Sequence, residues 1–176
     1  MPRILVTPLS ALADAVKRHR PSHVVTLLGP DTPVETPAGI AAERHLRLDV
    51  HDIDTAQPNL IAPGRDHVAD LLTFAHEWDA SAPMLVHCWA GISRSTAAAY
   101  IVACSRNEGA EHEIAMALRA RAPHANPNRL LVRHADALLG RDGRMVMAIQ
   151  AMRPATEAYE GEVFELPISL AELWDA

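Results

Sequence analysis

The chain is 176 residues long, 49% hydrophobic and 22% charged, with a formal net charge of −6. That suits one compact domain with a sizeable core, and the acidic balance, with no Lys/Arg block, excludes nucleic acid or an anionic membrane as the main partner. No apolar run is long enough to span a bilayer or to form the core of a signal peptide, and two cysteines without a pairing pattern point to a reducing, cytoplasmic setting.

In chain order, Ser10 to Lys17 predicts an amphipathic helix capped by Ser10 and stopped near Pro21. Val24 to Leu28 is a short buried strand ended by Gly29-Pro30. The stretch that follows carries Pro30, Pro33, Pro37 and Gly39 and reads as a loop. His45 to Val50 alternates apolar and polar residues, as a strand does. Gly64 to Trp78 has helical spacing through Val68, Leu71, Leu72 and Ala75. Met84 to Val86 is another strand. Helices are predicted from about Ser93 to Arg106, Glu111 to Arg121, Asn128 to Leu139 and Gly143 to Met152. Val163 to Leu166 reads as an added strand, and Ser169 to Glu172 as a capping box opening a short helix. Strand–helix alternation followed by a helical block predicts an α/β sandwich with its site at the C-terminal end of a strand.

The chemistry concentrates in Val86-His87-Cys88-Trp89-Ala90-Gly91-Ile92-Ser93-Arg94-Ser95. A thiol and a guanidinium stand six positions apart across a tight strand-to-helix loop. Such a loop curls so that successive backbone N–H groups face one anion, and the following helix adds the positive end of its dipole. Arg94 closes the ring with a bidentate grip on phosphate oxygens. The same surroundings favour the thiolate form of Cys88, and a thiolate beneath a bound phosphoryl group attacks it in line. The loop therefore predicts a cysteinyl-phosphate intermediate and a phosphatase. Cys104 is a different case. It lies roughly 15 Å along the following helix, beyond the reach of about 7 Å that a disulfide needs, and reads as a small core residue.

His87-Cys88 through Arg94-Ser95 resembles the His-Cys-x5-Arg-Ser/Thr signature of the cysteine-based protein tyrosine phosphatases, and Ala90-Gly91-Ile92-Ser93-Arg94-Ser95 is most similar to the dual-specificity branch. The resemblance implies a three-layer fold, a central mostly parallel sheet flanked by helices. It covers a phosphatase domain over residues 1–152; residues 153–176 lie beyond it and read as a C-terminal extension packing on the same domain. It implies a hydrolase whose loop residues Trp89, Ala90, Gly91, Ile92, Ser93 and Arg94 bind the substrate phosphate. Ser95 resembles the family hydroxyl that donates to the sulfur as the thiolate departs, with a helix-cap role compatible. His87 is expected to support the loop by hydrogen bonds. Arg121-Ala122-Pro123 and Pro127-Asn128 resemble an Arg-Pro…Pro-Asn pattern whose asparagine bonds the phosphate loop from behind, and Asn128 takes that role by resemblance.

Expulsion of an alkoxide or phenolate needs a general acid. Asp49, Asp52 and Asp54 follow the second predicted strand, where the family places its acid. Alignment on Leu48 and Val50 selects Asp52. Asp54 is the alternative, because it shares side-chain parity with Asp52 in extended chain, whereas Asp49 reads as a solvated surface residue. Ten histidines lack metal-ligand spacing, and the loop supplies its own charge, so no cofactor or metal is expected.

The leading expectation is a phosphomonoester hydrolase acting on a phosphorylated protein, phosphotyrosine above all. Alternatives are a phosphatase of a small soluble phosphomonoester, a phosphoprotein-binding module without turnover, and a sulfur-transfer or arsenate-reducing enzyme, which would need resolving thiols that Cys104 is badly placed to supply. The loop's variable residues carry no lysine, which leans away from polyphosphorylated inositol lipids. Trp89 either forms the mouth of the cleft or packs beneath it.

Overall fold

Short apolar runs buried on both faces form the strands of a sheet that must be covered on both sides. In the computed structural model, which describes residues 2–174, five strands take the order β3-β2-β4-β1-β5. They are β1 (Arg3–Pro8), β2 (His23–Leu28), β3 (His45–Asp49), β4 (Met84–Cys88) and β5 (Phe164–Pro167). The first four pair in parallel, and β5 runs antiparallel along β1 with Ile4 opposite Leu166. The sheet is thus mostly parallel and flanked by helices, as the resemblance implies.

The two faces are unequal. Leu5, Val24 and Leu85 point to one side and meet Leu12 and Ala15 of α1 (Leu12–His19). Ile4, Val6, Val25, Met84, Val86 and Cys88 point to the other, where the main core lies. That core is covered by α2 (Arg65–Glu77), α3 (Arg94–Arg106), α4 (Glu111–Arg121), α5 (Arg129–Leu139) and α6 (Arg144–Ala151). Helix α3 touches β1, β4, α2, α4 and α5, and every residue from Arg94 to Cys104 is buried. Ala97, Ala98, Ala99 and Ala103 make this close approach possible, since a helix enclosed all round has room for few large side chains.

Three local expectations change. The N-terminal Ile4-Leu5-Val6 run, too short between Pro2 and Pro8 to show a period, forms a strand at the interior of the sheet. Ser10 lies within a 3-10 turn, Leu9–Ala11, and caps nothing; its hydroxyl donates to Glu160 Oε1 at 2.8 Å. Ser169 precedes a 3-10 turn, Leu170–Glu172, without a side-chain cap bond. The added strand near 163–166 is β5, an edge strand where Pro167 is tolerated. No helix among the described residues is long and apolar enough to cross a membrane.

Candidate active site

Residues 89–93 must turn the chain from β4 into α3 in five residues. Gly91 does so with φ of +69°, and a Cβ there would lie 2.8 Å from Pro8 N at the end of β1. Glycine is required on both counts. Around it the loop carbonyls find donors on the outside. Leu9 N donates to Trp89 O at 3.0 Å, Gly161 N to Ala90 O at 2.7 Å, Asn126 N to Ile92 O at 2.9 Å and Asn128 N to Ser93 O at 3.2 Å. Thr96 Oγ1 adds bonds to Ile92 O (2.6 Å) and Ser93 O (3.0 Å). In a trans peptide the following N–H points opposite to the carbonyl. Each of these carbonyls therefore turns the N–H of Ala90, Gly91, Ser93 or Arg94 away from its own donor, so the four N–H groups are not spent on the bonds that hold the loop's carbonyls.

Cys88 ends β4 on the core side, 2% exposed, with its Sγ 3.1 Å from Ser95 Oγ in the first turn of α3. Arg94 is also buried; its Nη1 donates to Val50 O at 2.8 Å, and its Nε has no protein partner. The guanidinium thus ties down the chain after β3. His87 points to the opposite face of the sheet. Its Nε2 lies 2.7 Å from Thr26 Oγ1, which in turn lies 2.8 Å from His45 Nε2. Burial pushes the His87 pKa down to about 4 and lowers that of His45 as well. His87 is thus a neutral strut between β4, β2 and β3, directly behind the thiol.

The segment after β3 closes the cleft from the other side. Asp52 Oδ1 accepts from Ser93 Oγ (2.7 Å) and from Asn128 Nδ2 (3.0 Å). Asp54 is exposed, and Asp49 pairs with Arg47 at 2.8 Å on the surface, as read from its parity. Cys88, Trp89, Ala90, Ile92, Ser93, Arg94, Asp52, Asp54 and Asn128 all border one cleft of about 680 Å³. Trp89 is 55% exposed there, which settles its place at the mouth rather than beneath the loop.

Asn128 departs from its expected contacts. Only its backbone N–H reaches the phosphate loop. Its Nδ2 holds Asp52 and Ile53 O (3.1 Å), and its Oδ1 caps α5 by accepting from Leu130 N and Leu131 N. It links the segment that carries Asp52 to α5. Sequence reasoning missed Gln57, Asn126 and Arg129 on the cleft wall. Arg129 carried a signal, since it follows Pro127-Asn128 in a segment already assigned to the site. It also missed Gly161, seventy residues from the loop, where no local pattern marks it. Cys104 is buried, and burial pushes its thiol up to about 12, in keeping with a core role.

No family profile and no curated protein sequence matches the chain. Solved structures do match its fold. A crystal structure of DUSP15 superposes with a TM-score of 0.61 at 20% identity, covering 87% of this chain and 94% of that one. The Yvh1 phosphatase domain from Chaetomium thermophilum gives 0.54 at 19% identity over 80% and 92% of the two chains, and human DUSP28 gives 0.53 at 19% over 78% and 94%. The chain thus combines the His-Cys-x5-Arg-Ser pattern with a fold similar to those of DUSP15, human DUSP28 and the Yvh1 phosphatase domain.

Proposed function

We propose that this protein hydrolyses phosphomonoesters through a cysteinyl-phosphate intermediate, with Asp52 as general acid. The observation that carries the reading is that Cys88 and Arg94, from the loop between β4 and α3, and Asp52, from the segment after β3, border the same cleft. In the first step the Cys88 thiolate attacks phosphorus, the bond from phosphorus to the ester oxygen breaks, and the Asp52 carboxyl gives its proton to the departing oxygen. The inward N–H groups and Arg94 bear the charge that gathers on the equatorial oxygens. In the second step water attacks the phosphocysteine and gives its proton to Asp52, the S–P bond breaks, and inorganic phosphate leaves. Ser95 Oγ donates to the departing sulfur. Both donors to Asp52 meet Oδ1, which leaves Oδ2 to carry the proton. His87, held behind the strand, has no place in proton transfer.

The substrate class that best fits is a phosphorylated protein, with the exposed indole of Trp89 beside the cleft offering an aromatic surface to a phosphotyrosine ring. The phosphatase domain would span 1–152, with the described part of the extension that begins at 153 packed on it. It would work where Cys88 stays reduced, as in a cytoplasm.

The test is hydrolysis of an aryl phosphate at mildly acidic pH by wild type, Cys88→Ser, Asp52→Ala and Asp54→Ala. Cys88→Ser should abolish turnover, and Asp52→Ala should lower kcat by about a hundredfold or more. Full activity of Cys88→Ser would overturn the mechanism. Normal turnover by Asp52→Ala with failure of Asp54→Ala would reassign the acid to Asp54. A phosphotyrosine peptide preferred over a small aliphatic phosphate supports the protein substrate; the reverse preference removes it.

A further inference from the structure

Residues 153–163, between α6 and β5, form neither helix nor strand, and Gly161 alone among them is buried. The segment is held at few points. Thr156 N donates to Pro123 O at 2.8 Å, Ser10 Oγ donates to Glu160 Oε1 at 2.8 Å, and Gly161 N donates to Ala90 O at 2.7 Å. The last bond enters the phosphate loop itself. The other outward carbonyls of the loop meet donors from Leu9, just after β1, from Thr96 of α3, and from Asn126 and Asn128 just before α5. Ala90 O depends on a segment outside those elements.

The 90–91 peptide is also the one most in need of restraint. Gly91 has no Cβ and takes φ of +69°, so the barrier to turning this peptide over is lower than at any other loop position. A flip would replace the inward N–H of Gly91 with a carbonyl oxygen facing the bound phosphoryl group, and attraction would become repulsion. The approach of the segment is close as well. A Cβ on Gly161 would lie 2.5 Å from His124 Nε2 and 2.9 Å from Gly91 O. His124 has little room to yield, being buried against Phe164 of β5 with ring centroids 6.0 Å apart.

We propose that residues 153–163 are a strap and that Gly161 is a positioning residue, holding the Ala90 carbonyl outward so that the Gly91 N–H faces the substrate phosphate. This rests on the phosphatase reading for its consequence, but the anion site can be measured apart from turnover. The probe is inorganic phosphate, titrated by calorimetry into Cys88→Ser and into Cys88→Ser/Gly161→Ala. The added Cβ should weaken phosphate binding about tenfold, the scale of one hydrogen bond, with the near-ultraviolet spectrum retained. In the active background Gly161→Ala should lower kcat/KM by a similar factor. Tyr159→Ala, on the same strap and 94% exposed, should stay within twofold of wild type in both assays. Unchanged phosphate affinity in folded Gly161→Ala overturns the strap.

A second measurement needs no variant at position 161. In the Cys88→Ser protein the Gly161 amide should exchange with solvent far more slowly than those of Glu160 and Glu162, and its resonance should shift with the same midpoint as Gly91 when phosphate is added. Exchange as fast as its neighbours overturns the proposal. The two readings fail separately. A wild type that binds phosphate yet turns over no ester defeats the catalytic reading alone, and a wild type that turns over normally with Gly161→Ala unaffected defeats the strap alone.

Discussion

Ser95 is the residue whose chemistry can be separated most cleanly from folding. Its hydroxyl lies 3.1 Å from Cys88 Sγ, and a neutral donor there assists most when the sulfur becomes a leaving thiolate. Ser95→Ala should therefore slow the second step more than the first. Rapid-quench measurement with an aryl phosphate should show a burst of the phenol followed by a steady rate lowered by about tenfold or more; an equal drop in burst and steady rates would refute the assignment. Part of this residue-level picture was legible in the sequence, because Cys88, Arg94 and Ser95 fall within one short segment whose geometry the strand-to-helix turn dictates. Parity and resemblance pointed to Asp52 with Asp54 as the alternative, and both border the cleft. The second partner of Asp52 was not legible. Asn128 stands 76 residues away, and nothing local in Pro127-Asn128 tells a helix cap from a tether, although the side chain does both.

At the scale of elements, strands and helices with clear periods were read close to their observed bounds, and α4 runs as expected from Glu111 to Arg121. The failures were short and context-dependent. The β1 run has three apolar residues between polar or proline neighbours, and only pairing with β4 on one side and β5 on the other makes it a strand. The start of α6 was read at Gly143, its observed N-cap, although the cap itself comes from another helix. α6 begins at Gly143 without a cap of its own, and Asp136 of α5 accepts from Gly143 N (2.7 Å) and Met145 N (2.8 Å). Asp136→Ala should cost about 1–2 kcal/mol in urea unfolding, the scale of a lost N-cap at a buried site, and leave kcat/KM within twofold, since α6 lies away from the cleft. A large loss of activity at unchanged stability would show that α6 is coupled to the site.

For the whole molecule, the His87 strut links the loop after β4 to stability. His87 is buried with its pKa pushed down to about 4, whereas an unfolded chain titrates it near 6.5. Between those values the unfolded state binds more protons than the folded state, so stability is present above about pH 6.5 and is lost as pH falls toward 4. The full loss from this one group is about 3 kcal/mol. Urea midpoints for His87→Gln should show a flatter decline over that window than wild type; an identical slope would exclude His87 as the source. Mildly acidic assay conditions therefore work against the fold that holds the cleft together.

The placement of Trp89 has a practical consequence. Trp78 is enclosed, its indole N–H bonded to Ala82 O and the Arg106 guanidinium over its ring, while Trp89 stands half in solvent on the rim of the phosphate loop. With Trp174 also exposed, replacing that one indole by phenylalanine leaves a single water-facing indole among the described residues, and it borders the cleft. The molecule carries its own optical gauge of site occupancy, readable by collisional quenching with no label attached.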